Sequence, residues 1–527
     1  MGTMTLNTRT WVGAALALYV AIFSVTAFCQ PLALLPLRPV MQPAAFAPHN
    51  MEIAEQPAQR VQGAVTLPDL SKITIPDNFN LSQAVKDILD KLPPDLRAPG
   101  SVSRDRYIVA LHPNATSDDL NSHLQWIINM LSDTQLFDKD TINKFAGILQ
   151  KFDSEFLRGY QGHFPEWLVA LIQRSPLVRL VERDQYVGGT QSPVSNNPYV
   201  TMTGFLAAAN ESQTVFQRDP PWGLDRISHR EPGFQGLYVY PPNGGAGVDI
   251  YIVDTGCNVA HDDFGGRART GASFSADGDI DGNGHGTHVS GTAAGATYGV
   301  AKAANIVAVK VLDNDGNGLV SQVIKGLEWV LGQVRQNTTR RAVINMSLGG
   351  GGTSALMNEV IGRAVGLGVP VAVAAGNNNT NACDSSPADS GVVMTVGAST
   401  ETDRRASFSN FGSCVNIFAP GTNITSAWYT SNTATRVSSG TSMASPHVAG
   451  MMAVVLSLYP SASARDVYTI IQDISTKGAI NNATLNASIN QLLYNGINGT
   501  RFDGLGRSFG LTGQWKLVWE TVQSVWM

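Results

Sequence analysis

At 527 residues, with 43% hydrophobic and 15% charged side chains, the chain can bury more than one sizeable core. Its formal net charge of -5 leaves no basic excess to neutralise phosphates, so no nucleic acid is expected as a partner. The 52 glycines are too many for an all-helical protein and suit a fold with many tight strand-to-helix turns.

Residues 1–29 contain an apolar run from Trp11 to Cys29, preceded by Arg9 and followed by Gln30 and Pro31. The pattern predicts a secretory signal peptide; its length also suits an uncleaved signal anchor, so secretion and membrane tethering are both open. Residues 30–102 are Pro-rich and weakly patterned, a disordered leader with one short helix over 81–92. In residues 103–187 the patterning predicts strands at 106–111 and 178–184 and helices at 117–131 and 166–172, a small α+β domain. Residues 188–216, rich in Gly, Ser, Asn and Thr, read as a linker.

Over residues 217–496 the texture becomes α/β. Strands at 248–253, 306–312, 342–347 and 369–374 alternate with helices at 320–334 and 354–367, which predicts a parallel sheet covered on both faces. In such sheets the ligand crevice lies beyond the carboxyl ends of the strands. Residues 497–527 form a C-terminal extension in which Trp515, Trp519, Val522 and Trp526 recur at helical spacing.

The residues just beyond the strand ends carry chemistry. Asp254-Thr-Gly256 follows the first strand, and Ala374, Ala375, Gly376 and Asn377 follow the fourth. Between the first two strands lies a segment with His285 and His288, and near the end stands Gly440-Thr-Ser-Met-Ala-Ser-Pro446. That last stretch opens an apolar helix, with Pro446 assigned to its first turn. Taken alone it is as well explained by a core helix with a serine cap. A serine hydroxyl is a poor nucleophile at neutral pH unless a base lies within hydrogen-bond reach and an acid orients that base. Ser442, His285 and Asp254 supply those three roles, and Asn377 supplies an amide donor for an oxyanion. His288 and His447 compete for the base role, and an Asp after a strand is often only a turn former. The glycines flanking His285 favour it. A zinc site on His285 and His288 lacks a third ligand at a sensible spacing.

Of the four cysteines, Cys29 falls in the targeting segment. Cys383 and Cys414 flank a strand-like run at 391–398 and are the candidate disulfide, which leaves Cys257 as an odd thiol: a reactive group near Asp254, or a small buried residue. Sequons at Asn80, Asn114, Asn210, Asn337, Asn378, Asn423, Asn482, Asn486 and Asn498 suit a glycosylated secretory product.

The order Asp, His, Ser in these blocks resembles the subtilisin-like serine proteases (peptidase S8). The segments Pro221-Trp-Gly-Leu-Asp-Arg-Ile227, Tyr298-Gly-Val-Ala-Lys302, Ser347-Leu-Gly-Gly-Gly351 and Arg405-Ala-Ser-Phe-Ser-Asn-Phe-Gly412 look like its proteinase K branch. The resemblance implies a three-layer catalytic domain and a serine endopeptidase with Asp254, His285 and Ser442 as triad and Asn377 as oxyanion donor. It implies that Ser347, Leu348 and Gly349 on one side and Gly318, between Asn317 and Leu319, on the other are the edges between which a polypeptide substrate is held as an added strand. Ser347 to Gly349 with Ala374, Ala375 and Gly376 would wall the S1 pocket, small and uncharged, so cleavage after aliphatic or aromatic residues is expected. Residues 103–187 are similar to the inhibitor I9-type propeptide, which implies a self-processing zymogen, an intramolecular inhibitor and a maturation cut between Val187 and Pro220. The Cys383–Cys414 pair matches a disulfide of some relatives. Asn416 stands where close relatives place a calcium-binding Asp, so a structural calcium there would lack a charged ligand. No cofactor is required for catalysis, and a monomer is expected.

Overall fold

The computed structural model describes residues 102–131, 147–164, 166–189, 206–207, 215–337, 341–350, 352–481, 485–498 and 501–502. The apolar N-terminal run, the leader, most of the linker and the tryptophans of the C-terminal extension lie outside them.

The first domain is built on four strands, β1 (Val102–Leu111), β2 (Gly147–Asp153), β3 (Arg158–His163) and β4 (Val178–Gly189), in antiparallel order β4-β1-β3-β2. Helices α1 (Ser117–Leu131) and α2 (Glu166–Ile172) cover one face. Alternation decides which residue faces where: Tyr107, Val109 and Leu111 pack with Leu120, Ile127, Leu168 and Ile172, whereas Ile108 and Ala110 point to the opposite face. Strands β2 and β3 are not evident in the sequence, because QKFD and RGYQGH show no clean alternation. Strand β4 runs past the predicted end at 184 through Gly188 and Gly189, which the composition had assigned to the linker.

Within that linker, β5 (Leu206–Ala207) and β6 (Val215–Arg218) form a small antiparallel sheet with β7 (Leu237–Tyr240). Helix α3 (Trp222–Ile227) lies between β6 and β7.

The second domain is organised on β8 (Val248–Asp254), β9 (Ala268–Ser273), β10 (Asn305–Lys310), β12 (Arg341–Met346), β14 (Val371–Ala374), β15 (Met394–Ser399), β16 (Ile417–Pro420), β19 (Thr476–Lys477) and β20 (Gln491–Leu492). Two short strands, β11 (Asn317–Leu319) and β13 (Leu348–Gly349), stand outside this sheet, as does the hairpin β17 (Ile424–Ala427) and β18 (Thr435–Ser438). The nine-stranded order is β19-β20-β16-β15-β14-β12-β8-β10-β9, parallel throughout except at the β19–β20 edge. The chain leaves β8 towards β10 on one side and returns to β12 on the other, so the end of β8 is the point where strand order reverses, the place such sheets reserve for a site.

Both faces are covered. Helices α4 (His285–Ala294), α7 (Thr441–Leu458) and α8 (Ala464–Ile474) pack on Ile250, Ile252, Val343 and Ala372; helices α5 (Val320–Gln336) and α6 (Ala355–Gly366) pack on Tyr251, Val253, Ile344 and Val371. Helix α7 is long and apolar enough to span a membrane, yet nearly all of it is buried in this core. That is the expected fate of a helix apolar on every side within a globular domain. Ile108, Ala110, Phe152, Phe156 and Leu157 of the first domain extend the α5–α6 cluster, so the uncovered face of the first sheet lies on those two helices.

Candidate active site

Asp254 is the last residue of β8 and His285 the first of α4; both are buried, with His285 Nδ1 2.6 Å from Asp254 Oδ1. The same Oδ1 accepts the Thr255 N–H at 2.7 Å. A second carboxylate braces this pair. Asp281 Oδ1 accepts the N–H groups of Asn283 and Gly284 and the Thr255 hydroxyl, while Oδ2 accepts the N–H and hydroxyl of Thr287. The Gly286 N–H in turn donates to Thr255 Oγ1. One buried anion therefore ties the strand end bearing Asp254 to the helix start bearing His285, where the helix dipole favours negative charge. Beneath it the ammonium of Lys310, paired across the sheet with Asp254, donates to the carbonyls of Thr255 and Leu312.

The flanking glycines of His285 serve contact rather than reach. A Cβ on Gly284, which sits at φ 100°, would lie 2.5 Å from Tyr429 and 2.6 Å from Trp428; one on Gly286 would lie 2.1 Å from the Gly256 carbonyl oxygen.

The two competing histidines point elsewhere. His288 Nε2 lies 3.0 Å from the Ile424 carbonyl and 3.1 Å from that of Arg436, and burial lowers its pKa to about 3. His447 Nδ1 lies 2.8 Å from the Met443 carbonyl, and burial lowers its pKa to about 4. Among the described residues, His285 Nε2 is buried and has no hydrogen-bond partner.

Ser442 is the second residue of α7 and fully buried; its hydroxyl donates to the Ser347 carbonyl at 2.9 Å. Asn377, on the loop after β14, accepts the N–H and the hydroxyl of Thr441 on Oδ1, each at 2.9 Å. That fixes which end of the amide faces the helix and turns Nδ2 the other way. The loop is held by Asn410, whose Oδ1 accepts the N–H groups of Asn378 and Thr380 and whose Nδ2 donates to the Ala375 carbonyl. Thr441, Asn410, Asp281 and Lys310 were not identified from sequence. Thr441 stood inside the serine motif and Asn410 inside the Arg405–Gly412 block, and the other two carry no local signal.

A strand already occupies the crevice. The end of β4 pairs antiparallel with β11 on one side, Asn317 opposite Gly188, Gly318 opposite Val187 and Leu319 opposite Tyr186. On the other side it pairs with β13, Leu348 opposite Gly189 and Gly349 opposite Gly188. Gly189 reaches His285 so closely that a Cβ there would sit 3.1 Å from Nδ1. Behind this strand, Asp184 accepts the Ser321 N–H and hydroxyl at 3.0 and 2.7 Å, at the start of α5. Glu182 accepts the Ser354 hydroxyl at 2.6 Å and the Leu356 N–H at 3.3 Å, at the start of α6. Burial raises the pKa of both carboxyls.

Ser347, Leu348, Ala374 and Ala375 are buried and Gly349 and Gly376 half-buried, with no charge among them. Cys383 and Cys414 form a disulfide, Cα to Cα 5.4 Å. The Cys257 thiol is buried in the main core, and burial raises its pKa to about 12, so it stays protonated at neutral pH. Asn416 does not fit a calcium ion. Its Oδ1 accepts the Thr395 N–H at 2.8 Å and its own N–H donates to the Thr395 carbonyl at 2.9 Å, so no carboxylate is offered and the amide oxygen is engaged. Among the described residues no group of three or more His, Cys, Asp or Glu is placed to hold a metal.

Residues 245–494 match the model of the Subtilase family, and residues 106–188 match that of Peptidase inhibitor I9. A subtilisin-like protease of Coccidioides posadasii is 42% identical over 381 residues, covering 68% of this chain and 72% of that one. Subtilisin-like protease 8 of Arthroderma benhamiae is 43% identical over 381 residues, covering 68% and 73%. The crystal structure of a cold-adapted subtilisin-like serine proteinase is 42% identical with a TM-score of 0.50, covering 53% of this chain and all of that one.

Proposed function

The chain belongs to the subtilase family of serine endopeptidases and carries an inhibitor I9 domain ahead of its peptidase domain, and from that premise we propose that it is a secreted, self-processing protease whose nucleophile is Ser442. The observation that supports this best is the peptide strand seated between β11 and β13: its Gly189 lies against His285 of the Asp254–His285 pair and pairs with Leu348, next to the Ser347 carbonyl that accepts the Ser442 hydroxyl.

In the proposed mechanism the Ser442 hydroxyl turns from the Ser347 carbonyl to His285 Nε2, which takes its proton as Oγ attacks the substrate carbonyl. Asp254 holds the Nδ1 proton and stabilises the imidazolium. The oxyanion is met by Asn377 Nδ2 and the Ser442 N–H at the positive end of α7. His285 then protonates the leaving amine, and water repeats the sequence to free the acid. No cofactor enters these steps.

Substrates would bind as β4 does, through main-chain bonds to β11 and β13. The small uncharged walls favour aliphatic or aromatic residues at the cleaved position. Because Gly189 abuts His285, the maturation cut falls one or two residues beyond it. Secretion is proposed from the apolar run at 11–29 and agrees with the Cys383–Cys414 disulfide.

Labelling the secreted protein with a fluorophosphonate tests the assignment. Wild type should be labelled and processed, Ser442→Ala neither; an unlabelled, uncut wild type sinks it. N-terminal sequencing of the mature form should begin at Gln191 or Ser192.

A further inference from the structure

Pro446 carries a consequence beyond its own turn. Helix α7 begins at Thr441, so Pro446 lies in the second turn rather than the first, where its missing N–H removes a real helix bond. The acceptor deprived, four residues back, is the carbonyl of Ser442. A buried carbonyl left unpaired is costly. Here it is not left so: Ser347 Oγ, fully buried between β12 and β13, donates to it at 2.9 Å.

The direction of that bond is set by its neighbours. Asn345, on β12, donates from Nδ2 to Ser347 Oγ at 2.9 Å and accepts the Ser445 hydroxyl on Oδ1 at 2.8 Å. Asn345 Nδ2 donates to Ser347 Oγ, and the Ser347 proton goes to the Ser442 carbonyl, which can only accept. Serine to asparagine to serine to carbonyl, the chain of donors runs one way and closes on the nucleophile's own backbone.

We propose that Ser347 is a positioning residue for Ser442, and that Pro446 keeps the Ser442 carbonyl available to it. The inference rests on the assignment of Ser442 as nucleophile. Ser347 thus has two parts: its backbone borders the crevice, and its hydroxyl is turned away from substrate to hold α7. The link fixes Ser442 N–H and Oγ against the strand edge that seats the peptide, and small displacements of reacting groups cost about 100-fold in rate.

The test is a double-mutant cycle on the matured full-length product, normalised by active-site titration. Ser347→Ala should lower kcat about 10- to 100-fold with KM little changed, and Ser347→Thr, which keeps the hydroxyl, should recover most of it. Pro446→Ala returns a helix N–H to the Ser442 carbonyl, so in that background Ser347→Ala should cost only about threefold or less. If Ser347→Ala yields no mature enzyme, adding Pro446→Ala should restore it, and Ser347→Cys, a near isostere and weak donor, completes the cycle. Equal losses in both backgrounds, no restoration by Pro446→Ala, or a change confined to KM overturns the inference. With wild type labelled and Ser442→Ala inert, those results remove only the positioning role; an unlabelled wild type removes both.

Discussion

The propeptide domain and the catalytic domain each bury polar groups beside the crevice, but they satisfy them differently. Around the catalytic triad the partners are internal: among the described residues Asp281 takes its five hydrogen bonds, and Asn410 and Asn345 theirs, from the same domain. In the propeptide, Glu182 and Asp184 are satisfied chiefly by the starts of α5 and α6 across the interface. Helix α5 has no side-chain acceptor of its own at its cap, Leu319, and Asp184 takes that place. The carboxyls completed by contact belong to the domain that the proposed maturation removes, whereas the bonds of Asp281, Asn410 and Asn345 that brace the site lie within the catalytic domain.

This contrast can be broken from either side. The largest effect should come from Gly159→Val in β3, because a Cβ there would sit 2.1 Å from the Val109 carbonyl oxygen and disrupt the propeptide sheet alone. Mature enzyme should all but vanish on a gel of secreted protein, and wild-type propeptide supplied in trans should restore it; normal yield would show that the sheet is not needed for maturation. Next, Asn377→Ala should lower kcat about 10² to 10³-fold while leaving the propeptide interface unchanged, the loss measured when a related oxyanion asparagine is removed. Steady-state kinetics with a peptide amide decide it.

Cys383→Ser tests the self-sufficiency of the catalytic domain. A bridge separated by 31 residues is worth about 3–4 kcal/mol in the chain-entropy account, which denaturant unfolding of mature enzyme measures, with turnover per folded molecule unchanged. On the interface side, Asp184→Ala strands the Ser321 N–H and hydroxyl, costing about 1–3 kcal/mol and so weakening inhibition by the cut propeptide about 10- to 100-fold.

The smallest effect is the pH dependence. Burial raises the carboxyl pKa of Asp184 and Glu182 in the complex, so the complex holds protons more tightly than the separated parts. Their contribution to association is fully present below the ordinary carboxylate range and lost as pH rises through the raised values. Calorimetry with the Ser442→Ala domain should therefore find propeptide binding tightening by about tenfold or less from pH 7 to pH 5. Asp184→Asn should flatten that slope, and looser binding in acid would contradict the assignment.

The sequence alone determined the elements whose signals are local. The 15-residue helix α1 and the buried strand β8 carry periodicities that do not depend on the rest of the chain, and the Asp, His and Ser blocks carry their chemistry in adjacent residues. What no local signal holds is direction and partnership. Three histidines were eligible as base; only packing turned His288 to the β17–β18 hairpin and His447 back along its own helix. Gly188 and Gly189 looked like linker because strand pairing across two edges comes from residues more than 120 positions away. Pro446 read as a first-turn proline until the helix start at Thr441 placed its missing donor opposite Ser442. Chain-local propensity selects the elements, and long-range hydrogen bonds, absent until the sheet has assembled, decide which atoms face the crevice.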